Sequence, residues 1–132
     1  MSGCASNIDG PSADTLRAAR LYPANYKAEL LAYLHTFLND PHVRNAYVSE
    51  PVLTKFQGEE RYVNCVRFDA KAASSGYRGD RDHLARYFGG KLEYFVELRP
   101  ETKDDRCRNA NYQPFPELEQ LVRAGPTASR QP

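Results

Sequence analysis

Long apolar runs are missing from this chain, the longest being broken by Lys, Glu or Asn within a few residues. That excludes a transmembrane helix, which needs roughly 20 consecutive apolar residues. An excess of one charge is missing too: 18 Lys and Arg face 17 Asp and Glu, for a formal net charge of +1. No global field therefore draws the protein to nucleic acid or to an anionic membrane surface. Cysteine is sparse, at three residues. There is neither a C-x-x-C pair nor a Cys/His cluster, which argues against zinc and thioredoxin-like chemistry. Phosphate loops are also absent, because Gly89-Gly90 has neither the G-x-G-x-x-G frame nor a GK[ST] ending. Ser74-Ser75 lacks the G-x-S-x-G setting of a serine nucleophile. No internal repeat or low-complexity block interrupts the chain.

What is present is ordinary for one globular domain. The chain has 132 residues, 41% apolar and 27% charged, enough for one core and not for two. Its first informative feature is Cys4, preceded by Met1-Ser2-Gly3. These four residues follow a lipobox pattern, in which small residues admit the peptidase and the free thiol receives a diacylglycerol. Residues 5–13 are small, polar and rich in breakers, and suit a flexible leash between an anchor and a folded body. Nothing basic or strongly apolar precedes Cys4. The expectation is therefore either a leader lost upstream of Met1 or, if Met1 is the true start, an ordinary cytosolic cysteine.

Compartment decides the role of Cys65 and Cys107. Outside the cytoplasm such a pair in a small domain becomes a disulfide; inside it, the two are separate thiols. Closing that loop removes about 4 kcal/mol of unfolded-state entropy in the chain-entropy model. It would pin the polar segment around Cys107 onto a strand.

Local patterns come next. Residues 12–20 suit a short, weakly amphipathic helix. Tyr26, Leu30, Leu34 and Phe37 recur at helical spacing, with Pro23 fitting a first turn and Asn39-Asp40-Pro41 a stop, so an amphipathic helix is expected from about Pro23 to Asn39. Short β-prone runs follow at 46–49 and 52–56, and 57–60 reads as a turn. From Arg61 to Asp69 the chain alternates, with Tyr62, Asn64, Val66 and Phe68 on one face and Val63, Cys65 and Arg67 on the other. Residues 71–82 read as a loop. Leu84–Phe88 and Lys91–Leu98 flank Gly89-Gly90 as a tight hairpin. A closing helix is expected over 116–123.

The sum is an α+β domain: one amphipathic helix on an antiparallel sheet of three or four strands, with a short C-terminal helix. Residues 1–12 form the leash, 13–123 the domain and 124–132 a disordered tail. Tyr26, Leu30, Leu34 and Phe37 should pack on Val66, Phe68, Phe88 and Phe95.

Candidate chemistry is thin. Asp80-Arg81-Asp82-His83 is the densest polar cluster, but in an extended segment Asp80 and Asp82 share a face that His83 does not. A solvated loop is the expected reading. His35 and His42 straddle the helix stop and share no site. Arg78-Gly79-Asp80 matches an adhesion tripeptide, too short a motif to weigh. Arg61-Tyr62, Arg67-Phe68 and Arg86-Tyr87-Phe88 interleave base and ring, which alternating sheet faces explain better than a nucleic-acid platform. No metal, cofactor or catalytic residue is called for.

Residues 22–41, Tyr62 to Phe68 and Phe88 to Leu92 resemble small, uncharacterised bacterial cell-envelope lipoproteins, which carry a lipobox, a helix, a few strands and paired cysteines. The resemblance implies export, anchoring through Cys4 to the periplasmic side of a membrane, and no assigned activity. The expected role is non-enzymatic binding of an envelope protein or cell-wall component, with a sheet face or the Arg99–Tyr112 loop as the recognition surface. A small enzyme or ligand-binding fold with a pocket between helix and sheet is one alternative, and a cytosolic assembly subunit is another.

Overall fold

The computed structural model describes residues 12–38, 42–72, 76–99, 101 and 103–120. Cys4, the leash up to residue 11, the stop at Asn39-Asp40-Pro41, Ser74-Ser75 and the 124–132 tail lie outside these residues.

Two helices open the described chain, α1 (Ala13–Ala19) and α2 (Tyr26–Phe37). Ser12 caps α1, its Oγ accepting the Thr15 N–H at 3.1 Å. Pro23 is buried in the turn before α2 rather than inside its first turn. Strands β1 (Val43–Val48), β2 (Val52–Phe56), β3 (Glu59–Ala72), β4 (Gly76–Tyr77), β5 (Arg81–Phe88), β6 (Lys91–Leu98) and β7 (Gln113–Pro114) follow. A final helical segment, α3, begins at 116 and is described to 120.

Every strand pairing is antiparallel. The sheet runs β6-β5-β3-β1-β7, and β2 and β4 also pair with β3. An expected sheet of three or four strands under one helix is therefore too small: the described residues form seven strands and three helical segments. The missed strands have a common cause. Half of residues 71–82 are Ala, Gly and Asp, which are poor strand formers. Yet Lys71 and Ala72 pair with Tyr77 and Gly76, and Arg81 already pairs with Phe68. Gln113-Pro114 is too short to show a period, and becomes a strand only because β1 offers Val48 and Tyr47 as partners.

Strand β3 organises the sheet. One edge pairs with β5 along Tyr62–Phe68; the other is divided, Glu59–Val63 with β2 and Val66–Ala70 with β1. At the handover the ladder is patched by side chains. Ser49 Oγ accepts from the Cys65 N–H at 2.9 Å, and Asn64 Nδ2 donates to the Ser49 carbonyl at 2.8 Å. The Tyr87 hydroxyl donates to Asn64 Oδ1 at 2.9 Å. Asn64 is thus a buried polar group whose partners are supplied, as burial requires.

Both two-residue hairpins use positive φ at each central position, Gln57-Gly58 (49°, 87°) and Gly89-Gly90 (61°, 78°). That is the type I′ geometry matching strand twist. In β1 two residues, Asn45 and Ala46, oppose Phe68 alone, a bulge with Asn45 at φ 56°. The Ala46 groups turned away from β3 are recovered by the C-terminal segment: Glu119 Oε2 accepts its N–H at 2.9 Å, and its carbonyl accepts the Phe115 N–H at 2.8 Å.

The main core lies between α2, the sheet and the C-terminal segment. It joins Leu30 and Leu34 to Val43, Val48, Val66, Phe68, Ala85, Tyr87, Phe115 and Leu118. Two of the expected core members are misplaced. Phe37 is 53% exposed, stacking on Tyr33 at 5.4 Å. Phe88 lies beneath the Arg61 guanidinium at 4.4 Å, outside the main cluster. Phe115 and Leu118 take that space, brought in by the β1 bulge contacts.

Candidate binding cleft on the disulfide face

The opposite sheet face carries Val63 and Cys65 of β3 with Leu84 of β5, the alternate residues to the core-facing set. Cys65 is bonded to Cys107 across a separation of 42 residues, with Cα atoms 5.8 Å apart. The bond holds residues 103–112 against this face, where Cys107, Leu98, Val96, Ala110 and Tyr112 complete a second apolar cluster. The segment is not the loosely held polar stretch its composition indicates, since Cys107 is 1% exposed.

A polar clasp closes the far end. Arg67 Nε donates to Asp82 Oδ1 at 2.7 Å, the Tyr112 hydroxyl donates to the same oxygen at 2.8 Å, and the guanidinium lies 4.5 Å above the Tyr112 ring. Burial, with the carboxylate as acceptor, pushes the Tyr112 phenol well above its ordinary range. Asp104 is held below the usual carboxylate range by Arg106, which forks onto it at 2.6 to 3.1 Å.

Between this segment and β2 lies a cleft of about 430 Å³. Val63, Cys65 and Leu84 form its floor, Val52 and Thr54 one wall, and Arg106, Asn109, Ala110 and Asn111 the other. Arg106 is the ionisable side chain of the lining among the described residues, and its charge is met by Asp104. Thr54 and Val52 stand on this face because they pair with Arg61 and Val63. The cleft can desolvate an apolar group on its floor and offer amide and hydroxyl partners at its rim.

The polar cluster at 80–83, expected as a solvated loop, is instead divided among separate partners. Asp80 accepts a hydrogen bond from Asn45 at 3.4 Å, Arg81 pairs with Glu97 at 2.9 Å, and Asp82 belongs to the clasp. His83 is not in a solvated loop. It is 5% exposed, stacked between Phe68 at 4.3 Å and Phe95 at 5.1 Å, with Nδ1 3.2 Å from the Val66 carbonyl. Burial pulls its pKa below the ordinary 6.5. Arg78 joins Glu97 at 3.4 Å, while Gly79 N–H donates to Asp69, so the adhesion-like tripeptide is tied into the sheet. His35 on α2 and His42 before β1 belong to no group of three His, Cys, Asp or Glu residues able to hold a metal among the described residues.

Sequence reasoning placed Asn109 and Asn111 within the Arg99–Tyr112 loop offered as a recognition surface, but missed Val52 and Thr54 as the opposite wall. Nothing local marks that wall, because the disulfide and the β2 register bring the two sides together. Asn64 did carry a signal: a carboxamide on the inward face of an alternating strand needs a buried partner. Compared with known protein families, with curated proteins and with solved structures, the chain matches none.

Proposed function

We propose that this chain is a non-enzymatic binding domain, held at a bacterial membrane by lipid on Cys4, that captures an envelope protein through the cleft on its disulfide face. One observation carries the reading. A covalent bond holds a polar segment beside an open strand so that an apolar floor and a neutral, amide-rich rim face solvent together. Such a surface orients a partner without offering it a charged reactive group. The alternative of an enzyme with its pocket between helix and sheet is less favoured, because apolar side chains pack the centre of that space. In the recess of about 290 Å³ between Tyr33 of α2 and residues 92–95 of β6, the lining carboxylate, Glu93, is bound to Arg61. The Cys65–Cys107 bond supports an oxidising compartment over the cytosol.

The test expresses the chain from its native upstream DNA and carries a photo-crosslinking residue at Thr54 in one strain and at Lys27 on α2 in another. A diacylglycerol-sized mass increment on Cys4, with one protein partner crosslinked from position 54 and not from 27, is the expected result. An unmodified N-terminus with three free thiols would end the tethered reading. Equal crosslinking from both positions would end the cleft reading.

A further inference from the structure

The face bearing the cleft continues, one residue pair beyond its floor, into two arginines. Arg86 pairs across from Val63, and Arg61 from Thr54. Both guanidinium groups lie over rings, Arg61 at 4.4 Å from the Phe88 centroid and Arg86 at 4.7 Å from that of Tyr94. Such stacking leaves the N–H edges of a guanidinium available to a planar anion.

Two of the arginines here share one close carboxylate. Asp82 is committed to Arg67 and Tyr112. Glu93 lies 2.9 Å from the Nε of both Arg61 and Arg86, and its hydrogen bond is made to Arg61. Arg86 Nε is withdrawn from water and has no hydrogen-bond partner among the described residues, although Glu93 pairs with it electrostatically. Glu59 approaches Arg61 at 3.7 Å with its own side chain 72% exposed, a contact that solvent screens. One close carboxylate therefore serves two guanidinium groups, immediately beside an apolar floor.

The spacing selects a ligand. Leu84 and Arg86 are alternate residues of β5 on one face, about 7 Å apart along the strand. An extended peptide sets its residues i and i+2 at the same interval, on the same side. Resting on the cleft-binding reading above, we propose that the captured segment is an extended acidic peptide. Its apolar side chain enters over Val63 and Leu84, and a carboxylate two residues away reaches Arg86. The rim favours a peptide over an acyl carboxylate. Thr54, Asn109 and Asn111 supply hydrogen-bonding groups suited to peptide amides, for which a hydrocarbon chain has no use.

The full chain with its disulfide intact can be titrated by fluorescence anisotropy with three capped hexapeptides. One carries leucine and, two positions later, glutamate; the second has glutamine for the glutamate; the third has serine for the leucine. Preference for the first over the second by about tenfold is expected, from one hydrogen-bonded charge. Arg86→Gln should erase that preference, Arg86→Lys should keep part of it, and Val52→Lys should weaken the leucine peptides alike. Peptides that bind with no glutamate preference, or a preference surviving Arg86→Gln, would overturn the acidic-peptide assignment and leave the cleft reading standing. If no peptide binds, both fall. Binding of decanoate or of anionic phospholipid vesicles in place of the peptides overturns the assignment in favour of a lipid.

Discussion

On one face of the sheet Leu30, Leu34, Phe115 and Leu118 are fully buried, contributed by α2 and by the C-terminal segment folding over the β1 bulge. On the other, the buried cluster is Cys65, Cys107, Leu84 and Leu98, and the segment covering it contains no regular element. The first face is held by area removed from water, at about 25 cal/mol per Å². The second has too little such area and relies on a covalent bond and an ionic clasp. Where a surface is closed by packing, its groups are spent on the core. Where it is closed by a bond at one point, the flanking residues are left to form a cleft. The difference explains why the candidate site sits on the disulfide face.

Removing the bond is the strongest way to break this comparison. Cys65→Ala with Cys107→Ala should cost about 4 kcal/mol by the chain-entropy relation for this loop, read as a shift of the denaturant midpoint. Amide exchange should become fast over 103–112 before it does in α2 or β1. Simultaneous loss of protection on both faces would show that they are one cooperative unit. Leu34→Ala, on the packed face, should cost about 3 kcal/mol. It should loosen α2 while leaving the Tyr112 resonances near their native positions.

His83 gives a pH-dependent comparison. Its folded pKa lies below 6.5 because burial disfavours the imidazolium. In the unfolded chain it titrates at the ordinary value, so between the two values the unfolded state binds more protons. Its contribution is complete above about pH 6.5 and declines as pH falls toward the folded pKa. Urea midpoints measured at pH 7.5 and 5.5 should show the drop in the native protein and a flatter profile in His83→Phe. An unchanged slope in that variant would locate the dependence elsewhere. The smallest effect belongs to the clasp. Tyr112→Phe, which removes the 2.8 Å bond to Asp82, should lower stability by about 1 kcal/mol at this part-buried site. The cost should shrink when the disulfide is absent, since the clasp then closes on a segment that is already loose.

Much of the local structure was legible in the residues. Helical spacing from Tyr26 to Leu34 marks α2, and alternation from Arg61 to Asp69 gives the two faces of β3 correctly. Gly89-Gly90 marks its hairpin, and the cysteine pair its bond. Each depends on near neighbours or on a chemistry with few partners. The strands at 71–72, 76–77 and 113–114 were not legible, because their residues, Tyr77 apart, have no β preference and become extended only when a ladder is offered. His83 was misread for a related reason: Asp80-Arg81-Asp82 looks solvated until pairing with Phe68, Arg67 and Val66 turns its neighbour inward.

The sequence by itself determined α2, the alternating faces of β3 and the tight hairpin at Gly89-Gly90, since backbone sterics and apolar periodicity act over a few residues. Only the tertiary structure decided that β3 divides one edge between β1 and β2, and that Phe115 rather than Phe37 fills the core. It alone set Val52 and Thr54 opposite Asn109 and Asn111 across a cleft. Those outcomes depend on contacts between residues far apart in the chain, where register and available space, not local preference, set the free energy.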